Sequence, residues 1–330
     1  MRARAERCSD AAFDGDDVSD PREDSACRRV DLPGSRTLSI RPIRPSDDAG
    51  LVGLYESLSE EDHYLRFFTS TGPPHHVVDK LLHVEERGGC GLVGVVAEAD
   101  GTSHLVAEAS YGLAPNGNGE LGITVAREAR GWLGPFLLDA LLEQAAARGV
   151  PNIEAQVLFV NRRMLSLLGR RGLAYLDHDD PAIFHLVFST SGGMPSWPPR
   201  HDRPRLLVEI PGGFWPLEKA LRAADFDVIA CPGPPADRSR CPALRGEACP
   251  LVAGADVIVD AVPGDTGRVL LASHRRMFPS VPLCVEPSDD LHDGDDSATC
   301  IHRGDDETAV VAMLGAMSGR TPAPGRPTER

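Results

Sequence analysis

The 330-residue chain has no excess of basic residues: 34 Lys and Arg stand against 49 Asp and Glu, for a net charge of −15. Without a basic stripe to hold a phosphate backbone, nucleic acid is not an expected partner. The chain also lacks any apolar run near the roughly 20 residues that span a bilayer. Its opening, MRARAERCSDAAFDGDD, turns acidic where a signal peptide needs an apolar core. A membrane is therefore not expected as a partner, and the expected location is cytoplasmic. A disulfide framework is missing too. Cys8, Cys27, Cys90, Cys231, Cys241, Cys249, Cys284 and Cys300 lie far apart, and reduced thiols are the expectation. Cys231, Cys241 and Cys249 form the one local cluster, spaced too widely for a zinc knuckle. The adjacent His75 and His76 would point in different directions on a helix, so no metal is expected.

What is present is apolar content of 42%, enough for about two ordinary domains. Residues 1–34 are rich in Arg, Asp and Ser and read as a disordered leader. The Pro- and Gly-dense stretch at 189–204 reads as a linker, and 319–330 as a flexible tail. The acidic EPSDDLHDGDDSATCIHRGDDE reads as a solvated loop or insertion, because like charges resist packing.

Between leader and linker, TLSIRPI alternates as a strand should. SDDAGLVGLYESL follows as a helix, with Ser46 as its expected N-cap and Asp47 and Asp48 in the first turn. SEEDHYLRFF starts with the spacing of a capping box, Ser59 to Asp62, and HHVVDKLLHVEE either extends the helical region or forms a third short piece. GLVGVVAEA, HLVAEASYGL and GELGITVA are separated by Asp100-Gly101 and Asn116-Gly117, which supply the positive-φ residues of hairpin turns. An antiparallel meander is expected. In the next helix Phe136, Leu137, Leu138, Leu141, Leu142 and Ala145 share one face, with Pro135 at the first position and Gly149 just past the end. IEAQVLFV, a helix capped by Asn161, and the strands LAYL and IFHLVF complete the order. In the second half, RPRLLVEIPGG, FDVIACPGP, ADVIVDAVPG and PSVPLCVEP alternate with helical patterns, which implies a small parallel α/β sheet of the flavodoxin-like or receiver-like kind over 205–318. Ligands in such sheets lie at the strand C-terminal ends, near Gly212, Gly213, Asp260 and Gly264, although no phosphate fingerprint is present.

A strand that leads through a tight turn into a helix offers unpaired N–H groups and a positive dipole end, suited to a phosphate. Gly131 and Gly134 would let a ligand approach the main chain, and Arg130 adds positive charge. An ordinary strand-to-helix connection is the alternative.

Three stretches, GELGITVAREARGWLGPFLL, VLFVNRRMLSLLGRRGL and IRPIRPSDDAGLVGLYESLSEEDHYLRFF, together with the order of elements, resemble the GNAT N-acetyltransferase superfamily over 36–188. They look most like the acetyltransferase domains of bacterial protein lysine acetyltransferases. The resemblance implies a GNAT mixed sheet followed by the flavodoxin-like α/β domain. It also implies acetyl-CoA or a related acyl-CoA as co-substrate, held at Ile123, Thr124, Val125, Arg130, Gly131, Trp132, Leu133, Gly134 and Pro135, with Ala126 adding a main-chain contact and Asn161 and Met164 following. Glu120 matches the family's general base, and Arg66, Phe67, Phe68 and Tyr111 fall on the acceptor side, where an amine, either a protein lysine or a small amine, is the expected substrate. Two positions depart from the family: Trp132 stands where its turn has a middle glycine, and Leu168 where many members have a tyrosine that protonates the leaving thiolate. A catalytically weak acyl-CoA-binding regulatory protein is the alternative implied.

Overall fold

Alternating apolar residues in RTLSIRP form β2 (Arg36–Pro42), whose Leu38 and Ile40 point into the core. The computed structural model describes residues 27–69, 75–177, 180, 182–199, 203–234, 241–286, 299–302 and 304–319. The chain divides into two units, Met1–Ile153 and Glu154–Arg330.

The first unit is an antiparallel sheet in the order β1-β2-β3-β4-β5. β1 (Arg28–Leu32) pairs with β2 and falls inside the stretch expected to be disordered; the rest of that leader, 1–26, lies outside the described residues. β3 (Cys90–Ala97), β4 (Ser103–Leu113) and β5 (Gly119–Val125) are the expected meander. Gly101 and Gly117 take φ values of +87° and +89° in its turns, a region closed to most side chains. Helices α1 (Asp48–Glu56), α2 (Glu60–Phe67) and α3 (His75–Leu82) follow β2. Ser59 caps α2 as expected, accepting from the Asp62 amide at 3.2 Å. The cap of α1 differs: Asp47, not Ser46, precedes the helix, and Arg41 holds its carboxylate through two bonds of 2.7 Å. α4 (Leu133–Ala147) buries Leu133, Leu137, Leu138, Leu141 and Leu142, each worth about 1.5–3 kcal/mol relative to exposure. Phe136, expected on that face, is exposed.

β6 (Asn152–Leu158) runs into the second unit, whose sheet follows the order β6-β8-β7-β10-β9-β11-β12-β13. α5 (Arg162–Leu168), capped by Asn161, leads to the antiparallel pair β7 (Leu173–Asp177) and β8 (Ile183–Ser189). β9 (Arg205–Glu209), β10 (Asp227–Cys231), β11 (Val257–Asp260), β12 (Leu283–Val285) and β13 (Thr299–Cys300) are mutually parallel. Helices α6 (Glu218–Ala223), α7 (Pro250–Ala253), α8 (Gly264–Met277) and α9 (Glu307–Met317) accompany them. β10 meets β7 antiparallel at Ala230 opposite Tyr175, so one sheet continues across the stretch read as a linker. Within that stretch Trp197 is buried among Ala174, Leu207, Ile229 and Leu251, and its indole N–H donates to the Leu251 carbonyl at 2.7 Å. One large side chain with a satisfied donor outweighs the Pro and Gly around it. The acidic segment also differs from a pure loop. Residues 287–298 lie outside the described residues, but Thr299–Cys300 form β13 and Ile301 is buried. No described helix is long and apolar enough to cross a membrane.

Gly267 of α8 lies against the turn from β11, where an added Cβ would stand 1.9 Å from the Val262 carbonyl oxygen. In an open helix, Gly→Ala stabilises by about 1 kcal/mol. Here Gly267→Ala is expected to do the opposite, costing about 1–3 kcal/mol and lowering the melting temperature by about 2–10 °C. A thermal melt with an unchanged or higher midpoint would contradict this packing.

Candidate functional site

β4 and β5 pair in unbroken register from Ala107 opposite Val125 to Leu113 opposite Gly119. Strand alternation puts Glu108, Ser110 and Gly112 on one face with their partners Thr124, Gly122 and Glu120, and leaves Tyr111 on the other. Tyr55 of α1 and Arg66 of α2 reach the first face. Glu108 is wholly buried, with Oε1 accepting from the Ser110 hydroxyl at 2.6 Å and Oε2 from the Tyr55 hydroxyl at 3.2 Å. Burial, reinforced by the Glu108 charge, drives the Tyr55 pKa upward, so this phenol acts as a donor and not as an acid. Arg66 Nη2 stands 3.8 Å from Glu108 Oε2, and Nε donates to Thr124 Oγ1 at 3.1 Å. The guanidinium covers the middle of β5: a Cβ at Gly122 would lie 2.4 Å from Nη2. Sequence reasoning does not single out Glu108. Its only signal is a lone carboxylate at an inward register position of the apolar HLVAEASYGL.

Glu120 is exposed, two residues from Gly122 on the face that Arg66 covers. Of the residues expected on the acceptor side, Arg66 keeps part of its side chain in solvent, and Phe68 is partly exposed at the end of α2 with φ +58°. Phe67 packs edge-on against Tyr55, ring centroids 5.5 Å apart. Tyr111 is fully buried on the opposite face, which corrects its placement: it is a core residue.

β5 leaves through a 3-10 turn (Arg127–Ala129) to Arg130, Gly131 and Trp132. Gly131 has φ +87°, and a Cβ there would meet nothing within 4 Å, so the turn is open on that side. Trp132, half-buried at the N-cap of α4, supplies no capping hydrogen bond. The first-turn amides of α4 therefore have no side-chain cap. Pro135 is its third residue and not its first, still within the turn where a missing N–H is harmless. Gly134 is half-buried beside it. The Leu133 side chain is wholly buried near Gly94 and belongs to the core. Arg130 is also redirected. Its Nε donates to the Val125 carbonyl at 3.1 Å and its Nη1 lies 2.9 Å from Asp62. Burial would raise the Asp62 pKa, but Arg130 and Ser59 outweigh it and hold the carboxyl below its ordinary value. The Ala126 amide donates to the Val106 carbonyl at 2.8 Å. The Val125 carbonyl and the Ala126 amide, expected to face a ligand, are thus used within the unit, while Ile123 and Thr124 are buried side chains.

In the second unit, Asn161 accepts from the Met164 amide at 3.1 Å as the cap of α5; Met164 is half-buried and Leu168 wholly buried. At the C-terminal ends of neighbouring parallel strands stand Cys231 of β10, Glu209 of β9 and Asp260 of β11. His274 Nε2 lies 2.9 Å from Glu209 Oε2, and Asp260 Oδ1 accepts from the Val262 amide at 2.9 Å. Glu209, Asp260 and His274 are all buried. Burial and the Glu209 charge push Asp260 up to about 7. Burial works to lower His274, but the Glu209 bond and the nearby carboxylates overcome it and raise the value. Cys231 and Cys249 are pushed up by burial and stay thiols; Cys27, by contrast, is disulfide-bonded, which corrects the expectation of reduced thiols at that position. The side chains of His75 and His76 lie outside the described residues. Among the described residues, no group of three or more His, Cys, Asp or Glu is arranged to hold a metal ion.

About half of the chain is similar to GNAT acetyltransferase domains. The GNAT domain of S. lividans PAT is 24% identical, with 50% of this chain and 97% of that one covered at a TM-score of 0.43. A ribosomal-protein-alanine N-acetyltransferase from Brucella melitensis is 24% identical over 46% and 98% of the two chains, at 0.36. Spermidine N-acetyltransferase from Vibrio cholerae, in complex with CoA and spermine, is 15% identical over 47% and 96%, at 0.37. No protein-family model matches the chain.

The strand-end acids make stability depend on pH. Asp260 in the fold keeps a proton that the unfolded chain loses above about pH 4, so its contribution fades as pH rises toward 7; raised His274 acts in the same direction. Asp260→Asn keeps the acceptor for Val262 and removes the titration. Its stability relative to wild type is expected to rise between pH 5 and pH 8 by about 1–3 kcal/mol. Paired melts across that range check this, and a pH-independent difference would sink it.

Proposed function

We propose that the chain is an N-acyltransferase that moves an acetyl or related acyl group from acyl-CoA to an amine. The observation that carries this reading is local. An exposed carboxylate, Glu120, lies on a strand that passes through the open, positive-φ Gly131 into a helix with no side-chain cap. Uncapped amides and the helix dipole favour a pyrophosphate, and a carboxylate on the preceding strand suits removal of a proton from an incoming amine. The motif resemblance over 36–188 supports the same reading.

In this mechanism Glu120, directly or through one water, takes the ammonium proton. The neutral amine attacks the thioester carbonyl, and an N–H of β5 stabilises the tetrahedral oxyanion. The carbon–sulfur bond then breaks. Leu168, at the position where the resemblance has a tyrosine, carries no proton to donate, so water protonates the departing thiolate. On the first unit the cofactor side comprises Gly131, Trp132 and Gly134 at the turn, with Ile123 and Thr124 contributing through their main chain. Arg130 braces the turn from behind through Asp62 and Val125. The acceptor is an amine, with a protein lysine the favoured candidate from the early motifs.

The second half is proposed as a flavodoxin-like regulatory domain. The parallel order β10-β9-β11-β12-β13 supports this, because it is the 2-1-3-4-5 arrangement of that class. A second reading, a catalytically weak acyl-CoA sensor, is favoured by the commitment of Arg130 to Asp62 and by the buried Leu168.

Calorimetric titration with acetyl-CoA is expected to show one site per chain. Glu120→Gln is expected to retain that binding and lower transfer by about 10²-fold. Binding without transfer to any amine favours the sensor, and absence of binding rejects both readings.

A further inference from the structure

Arg66 has more donors than the described residues use. Its Nε is bonded to Thr124, and Nη2 stands 3.8 Å from Glu108, beyond hydrogen-bond reach. Among the described residues, Nη1 and Nη2 donate no hydrogen bond. The side chain is 24% exposed. Its position is set from three sides: Thr124 holds Nε, the buried Glu108 carboxylate draws the charge inward, and the Phe67 ring lies 5.0 Å beneath the guanidinium carbon. Glycine at 122 leaves the room the planar group occupies. A fixed, part-exposed guanidinium over β5, with donors unused among the described residues, matches one chemistry above others, a planar oxyanion taken by two parallel bonds.

The neighbourhood narrows the choice. Glu120 lies on the same face, two residues along β5 from the Gly122 that Arg66 covers, a Cα separation of roughly 7 Å. The exposed part of that face therefore presents a carboxylate and a guanidinium side by side. A substrate that brings an amine to Glu120 can place a second, acidic group against Arg66. Aliphatic polyamines, with only cations to offer, cannot.

We infer that Arg66 is a specificity residue that recognises a carboxylate carried by one of the two substrates, either the acceptor amine or the acyl group of the donor. This rests on the acyl-transfer reading above and deepens it. No bond is made or broken at Arg66; its part is orientation.

Both sources can be separated in one design on the full chain. In the acceptor arm, release of the CoA thiol from acetyl-CoA is followed with lysine against cadaverine, and glycine against methylamine. In the donor arm, calorimetry compares succinyl-CoA with acetyl-CoA. Wild type is expected to prefer the carboxylate-bearing member of one arm by about 10–100-fold. Arg66→Gln is expected to bring that ratio to within about threefold of one, and Arg66→Lys, which keeps the charge but loses the fork, to an intermediate value. Because Arg66→Gln leaves Glu108 unmatched, the double variant Arg66→Gln/Glu108→Gln is measured beside it, with melting curves to show that each is folded.

No preference in either arm, or a preference that survives in a folded Arg66 variant, overturns the inference while the acyl-transfer reading stands. Failure of every acyl-CoA to bind removes both.

Discussion

A carboxylate shut away from water costs several kcal/mol unless donors and a cation surround it, and Glu108 has no solvent exposure at all. Its surroundings come from three separate elements: the Tyr55 hydroxyl from α1, the Ser110 hydroxyl from its own strand, and the Arg66 charge from α2. Meeting that need seats α2 against β5. The same helix carries Asp62 one turn earlier, which takes Arg130, and Arg130 in turn takes the carbonyl at the end of β5. A helix of eight residues thereby holds both the middle of the strand and the turn that follows it. The candidate site inherits its geometry from this arrangement.

The second unit meets the same difficulty in another way. Glu209 and Asp260 stand side by side at the ends of adjacent parallel strands, both buried, and among the described residues no lysine or arginine forms an ion pair with either. His274 answers Glu209 directly, and Asp260 is left to hold a proton near neutral pH. A buried pair of acids is thus accommodated by protonation where the first unit uses a guanidinium. Asp62 and Asp260 contribute to stability at opposite ends of the pH range, because one carboxyl is held low in the fold and the other high.

Much of the fold is legible in the order of residues. Leucines at helical spacing mark α4, Asp-Gly and Asn-Gly mark the hairpin turns, and Ser59 and Asn161 mark two helix starts. These signals act over a few residues, and local sterics and hydrogen bonding decide them. β1 is not legible in this way, because its RRVDL carries few apolar residues and relies on the edge of β2 for its bonds. Nor is the burial of Trp197, because a Pro- and Gly-rich neighbourhood reads as a tether unless the partners of its one large side chain are known.

By itself, the sequence determined the order of elements from β2 to β8, the turn residues, most of the caps and the presence of a glycine-bearing strand-to-helix connection, all set by interactions a few positions apart. Only the tertiary structure decided which charges meet. Arg130 was legible as a cation at a turn, but its engagement with Asp62 depends on a helix more than 60 residues upstream in the chain. Glu108 was one acidic letter in an apolar run, and its meaning came from Tyr55 and Arg66, brought over it by the packing of α1 and α2. The physical reason is range. Propensity and periodicity are written along the chain, whereas the compensation of a buried charge depends on distance in space, which the folded chain alone supplies.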